Sequence, residues 1–189
     1  MSYLLQALAF LVDVIFGIYI FILMLRFLLQ WTQTGHFTHP MTRFVYQATT
    51  PVLRPLHRFI PRWRQVDLAT LCLLLVLQTL KGLLIHSLLN TPIGLFGLII
   101  LAFAELISLL VYIFIFSILI EMLLSWVNHD PYNPLSSFVS RLNQPLLQLA
   151  RRWVPNVGGL DLSPLLVIIL LQLSLILVVA PLIGLSKGL

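Results

Sequence analysis

Apolar runs long enough to cross a membrane fall at residues 4–31, 68–89, 93–126 and 162–180, separated by two longer polar stretches and one short turn. A helix rising about 1.5 Å per residue needs about 20 apolar residues to cross a hydrocarbon core of about 30 Å. The second and fourth runs have that length. The first and third exceed it, since residues 93–126 as one helix would measure roughly 50 Å. Their outer parts, up to about Asp13 and Glu105, are expected at or beyond the outer lipid interface, which leaves spans at about 8–31, 68–89, 103–126 and 162–180. The alternative is a tilted or broken helix, with Gly94 and Gly97 as break points. Asn90-Thr91-Pro92 reads as a tight turn, and Pro181 with Gly184 as the stop of the fourth span.

The polar stretches carry a helical period. Pro40 stands just inside a helix start, and Met41, Phe44, Val45 and Ala48 then share one face. Asn133 and Pro134 open a matching helix with Leu135, Phe138, Val139 and Leu142 on its apolar side. After Pro51 and Pro145 the chain is expected to change direction and begin a second short helix. There Val52, Leu53, Leu56, Phe59 and Ile60 lie opposite Arg54, His57 and Arg58, and Leu146, Leu147, Trp153 and Val154 lie opposite Gln148, Arg151 and Arg152. An apolar stripe backed by a basic one is the pattern of a helix lying in the headgroup layer. The basic stripe (Arg54, His57, Arg58, Arg151, Arg152) is therefore either an anchor that sets topology or a binding face for anionic lipid, nucleoid DNA or an acidic partner. Nucleic-acid readout is disfavoured, because no aromatic–basic motif accompanies it.

The pattern occurs twice. Laid without a gap over residues 134–172, residues 40–78 match at twelve of thirty-nine positions, among them Pro40/Pro134, Phe44/Phe138, Pro51/Pro145, Arg58/Arg152, Pro61/Pro155, Asp67/Asp161 and Gln78/Gln172. A one-residue shift upstream pairs Trp31 with Trp126. The expected architecture is an all-α membrane protein of two repeats, 1–90 and 91–189, each span–amphipathic segment–span. An even number of spans per repeat makes the two copies parallel, about a pseudo-two-fold axis along the membrane normal.

Composition agrees: 60% of the 189 residues are apolar and 9% charged, where a soluble domain has about 25% charged residues. Mean hydropathy is +1.04. That excludes a cytosolic enzyme, a secreted disulfide scaffold and a disordered tail. The single cysteine, Cys72, sits in an apolar run, so no disulfide forms within one chain. The first run has neither a basic leader nor a small-residue cleavage site and reads as a span, not a signal peptide. Basic residues mark topology: Arg43, Arg54, Arg58, Arg62 and Arg64 in one long loop, Arg141, Arg151 and Arg152 in the other, none before Asp13 or in the central turn, and Lys187 alone in the tail. Both long loops are thus expected to face the cytoplasm and both termini the periplasm, with Trp31, Trp63, Trp126 and Trp153 near the cytoplasmic interface.

Ionisable residues inside spans are functional candidates by default. Counted from Trp31, Asp67 and Trp126, Arg26 and Glu121 lie about 7 Å deep, Lys81 about 21 Å, Asp13 about 27 Å and Glu105 about 31 Å, at the far surface. Arg26 and Glu121 occupy the same repeat position with opposite charge. They either pair across a contact between the first and third spans, or Arg26 snorkels to lipid phosphate. Lys81 is placed to reach Asp13. Asp67 and Asp161 precede the second and fourth spans, where a carboxylate caps free amides and complements the helix dipole; a paired acidic mouth for a cation is the other reading. Gln78, Ser87, Gln172 and Ser174 are expected to join helices by hydrogen bonds.

No P-loop, dinucleotide fingerprint, nucleophile elbow or zinc-protease helix is present. His36 and His39 have no further ligand nearby, His86 has only Ala180 at its repeat position to share a haem with, and His129 and Asp130 read as loop polar residues. No catalytic residue, metal or cofactor is expected.

The tract TPVLRPLHRFIPRWRQVDLATLCLLLVLQ and its echo QPLLQLARRWVPNVGGLDLSPLLVIILLQ resemble the YggT (YlmG) family of small bacterial inner-membrane proteins over nearly the whole chain. The first copy departs from the family's glycine turn, having Arg62-Trp63-Arg64-Gln65 where the second has Asn156-Val157-Gly158-Gly159, which makes that loop more basic and stiffer. The resemblance implies a duplicated four-span protein without enzymatic activity, linked to osmotic-stress tolerance and ion homeostasis. The alternative is a scaffold or assembly factor for membrane or cell-division complexes, acting through its basic loops. Partners on these readings are the bilayer with its anionic headgroups, and a membrane protein or a second copy of the chain.

Overall fold

In lipid a backbone must satisfy its own N–H and C=O groups, and over long runs apolar on every face a helix does so. The computed structural model describes residues 3–31, 40–58, 67–91, 93–127, 134–153 and 161–188. These form six helices: α1 (Tyr3–Trp31), α2 (Pro40–Leu56), α3 (Leu68–Leu89), α4 (Leu95–Val127), α5 (Pro134–Arg151) and α6 (Ser163–Lys187). Helices α1, α3, α4 and α6 are long and apolar enough to cross a membrane. The fold is all-helical among the described residues. Phe59–Val66, His36, His39, Pro92, His129, Asp130, Asn133 and residues 154–160 lie outside them.

Neither long run is broken. α1 is 29 residues and α4 is 33. Gly94 precedes α4, and Gly97 is buried inside its first turn instead of interrupting it. The fourth span also differs from expectation, because Pro181 and Gly184 do not end it. A π-helical segment, Leu175–Val179, precedes the proline, and the Ala180 N–H reaches back five residues to the Leu175 carbonyl. That wider turn accommodates a ring that would crowd the carbonyl four residues back in a regular helix.

Pro51 and Pro145 likewise begin no new helix: α2 runs through Pro51 and Pro55, and α5 through Pro145, each as one helix. One buried stripe continues across each ring, Thr42, Val45, Thr49 and Leu53 in α2, and Val139, Leu142, Asn143, Leu147 and Ala150 in α5. Packing along that whole length outweighs the one backbone hydrogen bond each proline removes. In α2 the buried face is rotated from the purely apolar one, so Phe44 and Val52 are exposed and two threonines face inward; Trp153, after α5, is exposed too.

α1 packs on α3, α3 on α4, and α4 on the outer part of α6, while α2 lies against α1 and α3 and α5 against α4 and α6. The main core joins Ile20, Leu23 and Leu28 of α1 to Leu53, Leu74, Phe114 and Leu142 on four other helices. A smaller cluster of Ile118, Leu147, Ala150 and Val167 seats α5 on α4 and α6. Asn90, in the left-handed conformation at φ 51°, closes α3. Lipid supplies no hydrophobic drive between spans, so close approach has to come from small residues. Gly82 provides it, since a Cβ there would lie 3.1 Å from Leu98 Cδ1 across the α3–α4 contact. Gly17 on α1 has open space around it.

The two glycines should therefore respond oppositely. Gly82→Leu should destabilise the detergent-solubilised protein by about 1–3 kcal/mol through overpacking. Gly17→Ala should be neutral or stabilising by about 0.5–1 kcal/mol. Thermal unfolding of the two variants checks both.

Candidate functional site

Two charged side chains of the spans, Arg26 and Glu121, are held by polar groups on the amphipathic helices. Arg26 of α1 is 3% exposed. Its Nη1 donates to Thr49 Oγ1 at 2.7 Å and to Thr50 Oγ1 at 3.1 Å, and its guanidinium lies 4.7 Å from the centre of the Tyr46 ring. The threonines are oriented by donating to the Val45 and Tyr46 carbonyls one turn back. In the second half, Asn143 Nδ2 of α5 donates to Glu121 Oε2 of α4 at 2.7 Å, and the Ser117 hydroxyl donates to Asn143 Oδ1. Thr49 and Asn143 stand 94 residues apart, at positions the ungapped alignment pairs, as do Arg26 and Glu121 with the one-residue shift. Where the charge changes sign, the partner changes from a hydroxyl that can accept to an amide that can donate. The expected pair between Arg26 and Glu121 is not among the described ion pairs. Each side chain is instead engaged by its own half, and α1 and α4 face each other across an apolar gap.

A second tie joins the far end of each amphipathic helix to the next span. His57 Nε2 lies 2.9 Å from Asp67 Oδ2, and Arg151 donates from Nε and Nη2 to Asp161 Oδ2, each at 2.9 Å. These are again aligned positions. Asp67 also caps α3 through the Thr70 N–H and hydroxyl, and Asp161 accepts from the Ser163 N–H at 2.9 Å. Asp67 is thus the N-cap expected of it, while Asp161 stands one residue before the N-cap position, Leu162, and takes up a single free amide. Burial by itself would raise the Asp67 carboxyl, but the bonds from His57 and Thr70 outweigh it and hold the group below the ordinary carboxylate value. For Asp161 burial is likewise outweighed, by Ser163 and Arg151. The basic stripe therefore divides: His57 and Arg151 are engaged internally, while Arg54, Arg58 and Arg152 point outward.

The remaining intramembrane charges meet where α1, α3 and α4 adjoin. Lys81 Nζ lies 3.0 Å from Asp13 Oδ1, as expected from reach, and 3.4 Å from Glu105 Oε2. Glu105, expected at the far surface, turns inward and also accepts from Gln78 Nε2. Of the other polar span residues, Ser174 bonds to its own helix at the Leu171 carbonyl, while Ser87 and Gln172 are exposed. His86 Nδ1 is within 2.9 Å of the Gly82 carbonyl. Among the described residues no three His, Cys, Asp or Glu side chains are grouped to hold a metal.

Between α1 with α2 on one side and α4 with α5 on the other lies a cavity of about 860 Å³. Its walls are hydrocarbon apart from Tyr112 and Ser117, with Phe21, Leu25, Phe44, Phe116, Ile120 and Phe138 prominent. A charge moving between the halves would find no polar lining there.

Sequence reasoning missed Thr49, Thr50, Asn143 and Ser117. The available signal was a pair of threonines and an asparagine interrupting apolar faces at aligned positions, beside a span charge of unknown partner.

Two predictions follow from the ties. Arg26→Glu should destabilise the protein by about 1.5–3 kcal/mol, the worth of a hydrogen bond to a charged group. Adding Thr49→Asn should restore most of that, because it rebuilds the pair of the second half, whereas adding Glu121→Arg should not; unfolding temperatures of the three variants decide this. The second concerns acid. A carboxylate whose folded pKa is depressed stabilises the fold above its unfolded pKa, and that contribution is lost as pH falls through the folded value. Unfolding temperature should thus drop below the ordinary carboxylate range, and Asp67→Asn with Asp161→Asn should flatten that limb.

No solved structure matches the chain. Among curated proteins it is 36% identical over 165 residues to an uncharacterized protein of Pseudomonas aeruginosa, covering 86% of this chain and 83% of that one. It is 31% identical over 168 residues to the uncharacterized protein YggT of Escherichia coli, covering 88% and 86%, and 32% identical over 171 residues to an uncharacterized protein of Vibrio alginolyticus, covering 89% and 91%. The model of the CCB3/YggT family matches residues 5–88 and again 100–182. With two matches that together take in both amphipathic helices and their ties, the chain belongs to the CCB3/YggT family.

Proposed function

We propose that the protein is a non-enzymatic scaffold of the bacterial inner membrane, built from two parallel repeats (1–90 and 91–189) with both amphipathic helices on the cytoplasmic side and the termini periplasmic. One observation carries the reading: the ionisable groups of the spans are engaged by neighbouring helices, and the gap between the halves is apolar. Such groups hold a shape and provide no continuous polar route. Among the arginines left exposed is the outward row of Arg54, Arg58 and Arg152. These face anionic headgroups and, through that surface, the acidic flank of a membrane-protein partner or a second copy.

The ion-homeostasis and osmotic-stress reading keeps one observation in its favour. Lys81 is shared by two carboxylates, Asp13 and Glu105, so the cluster bears excess negative charge when all three are ionised. Potassium flux in proteoliposomes separates the readings. Flux indistinguishable from empty liposomes is expected, together with a defined larger assembly from native membranes that dissociates in Arg54→Gln/Arg58→Gln/Arg152→Gln. Flux that vanishes in Asp13→Asn/Glu105→Gln, from a chain that purifies alone, would replace the scaffold reading with the ion-handling one.

A further inference from the structure

We propose that the cavity between the halves is a binding site for one anionic phospholipid, with its acyl chain between α1 and α4 and its phosphate held by Arg43 and Arg141. The walls suit a hydrocarbon chain. Phe21 and Leu25 face Phe116 and Ile120, and the Ser117 hydroxyl is turned away to Asn143. A volume of about 860 Å³ falls within the range of pockets that enclose small apolar ligands, roughly 300–1,000 Å³.

The length fits one leaflet. Along α4 the lining runs from Leu109 to Ile120, a rise of about 16 Å. Half of a hydrocarbon core of about 30 Å is about 15 Å. From the level of the amphipathic helices the cavity therefore runs along α4 for about the length of one leaflet's hydrocarbon, which is the length of an acyl chain.

Charge is placed at the matching end. Phe44 and Val45 of α2, and Phe138, Val139 and Leu142 of α5, close the cavity on the side of the amphipathic helices. Arg43 immediately precedes Phe44, and Arg141 lies one turn on from Phe138. Both arginines are exposed and, among the described residues, neither is in an ion pair. A phosphodiester at that end meets two guanidinium groups, each able to bind it through paired N–H donors. The site is separate from the outward row of Arg54, Arg58 and Arg152, so it stands whether or not that row recruits a partner.

The test is native mass spectrometry of the full chain, delipidated in detergent and titrated with phosphatidylglycerol or phosphatidylcholine. The expected result is one phosphatidylglycerol per chain, bound roughly ten-fold more tightly than phosphatidylcholine, whose choline cation offsets the phosphate charge that attracts the two arginines. Arg43→Gln/Arg141→Gln should bring the two lipids level without changing the unfolding temperature. Ile120→Trp should abolish retention of both, and Val139→Phe narrows the same space from α5 should Ile120→Trp fail to fold. Arg54→Gln/Arg58→Gln/Arg152→Gln should leave binding as in the parent. Equal affinity for the two lipids in the parent, phosphatidylglycerol retained in the filled-cavity variants, dependence on Arg54, Arg58 and Arg152, or a dimer that occupies the cavity and that lipid does not dissociate would each overturn the site.

Discussion

A charge carried by a membrane-spanning helix must find its partner within the protein, and for Arg26 and Glu121 the partners sit on the amphipathic helices. Arg26 engages Thr49 and Thr50, and Glu121 engages Asn143. At the other end of the same helices, His57 and Arg151 reach the carboxylates that stand before α3 and α6. Each amphipathic helix is thereby fixed at two points, to the span before it and the span after it. It acts as a strut across the end of a helical hairpin. The core residues Leu53 and Leu142, which pack under α2 and α5, depend on that placement.

The strut also accounts for features that look anomalous singly. Pro51 and Pro145 lie inside helices because a helix pinned at both ends and buried along one stripe keeps its axis despite a missing hydrogen bond. The buried face of α2 includes Thr49 because Arg26 lies beneath it. Polar residues at a lipid interface commonly serve the surface, whereas here two of the five residues of the basic stripe, His57 and Arg151, serve the fold and the other three are exposed. The outer part of the molecule uses a different device, the Asp13–Lys81–Glu105 bridge across three helices, which has no aligned equivalent in the second half.

Much of this was legible in the residues. Span number follows from hydropathy alone, the Lys81–Asp13 pair from side-chain reach, and the capping by Asp67 from its place before an apolar run. The three proline errors share one cause. Pro51, Pro145 and Pro181 are strong local breakers, and local propensity was overridden by packing in the first two and by a π turn in the third. The Arg26–Glu121 pairing failed for a different reason: opposite charge at aligned positions is satisfied equally well by two separate local partners, and charge carries no information about which neutral residue will serve. The aligned pair Thr49 and Asn143 held that information, in a donor–acceptor complementarity visible only once the helix faces are known.

The central claim is that protein contacts, not the membrane surface, hold the amphipathic helices. Hydrogen exchange of the full chain in lipid nanodiscs tests it most directly, comparing the amides of α2 with those of α5. The account predicts slow exchange in both helices of the parent, and fast exchange confined to α2 when Arg26→Met and Asp67→Asn remove both of its ties. If α2 remained as protected in that variant as in the parent, the headgroup layer alone would be holding it, and the strut would not exist.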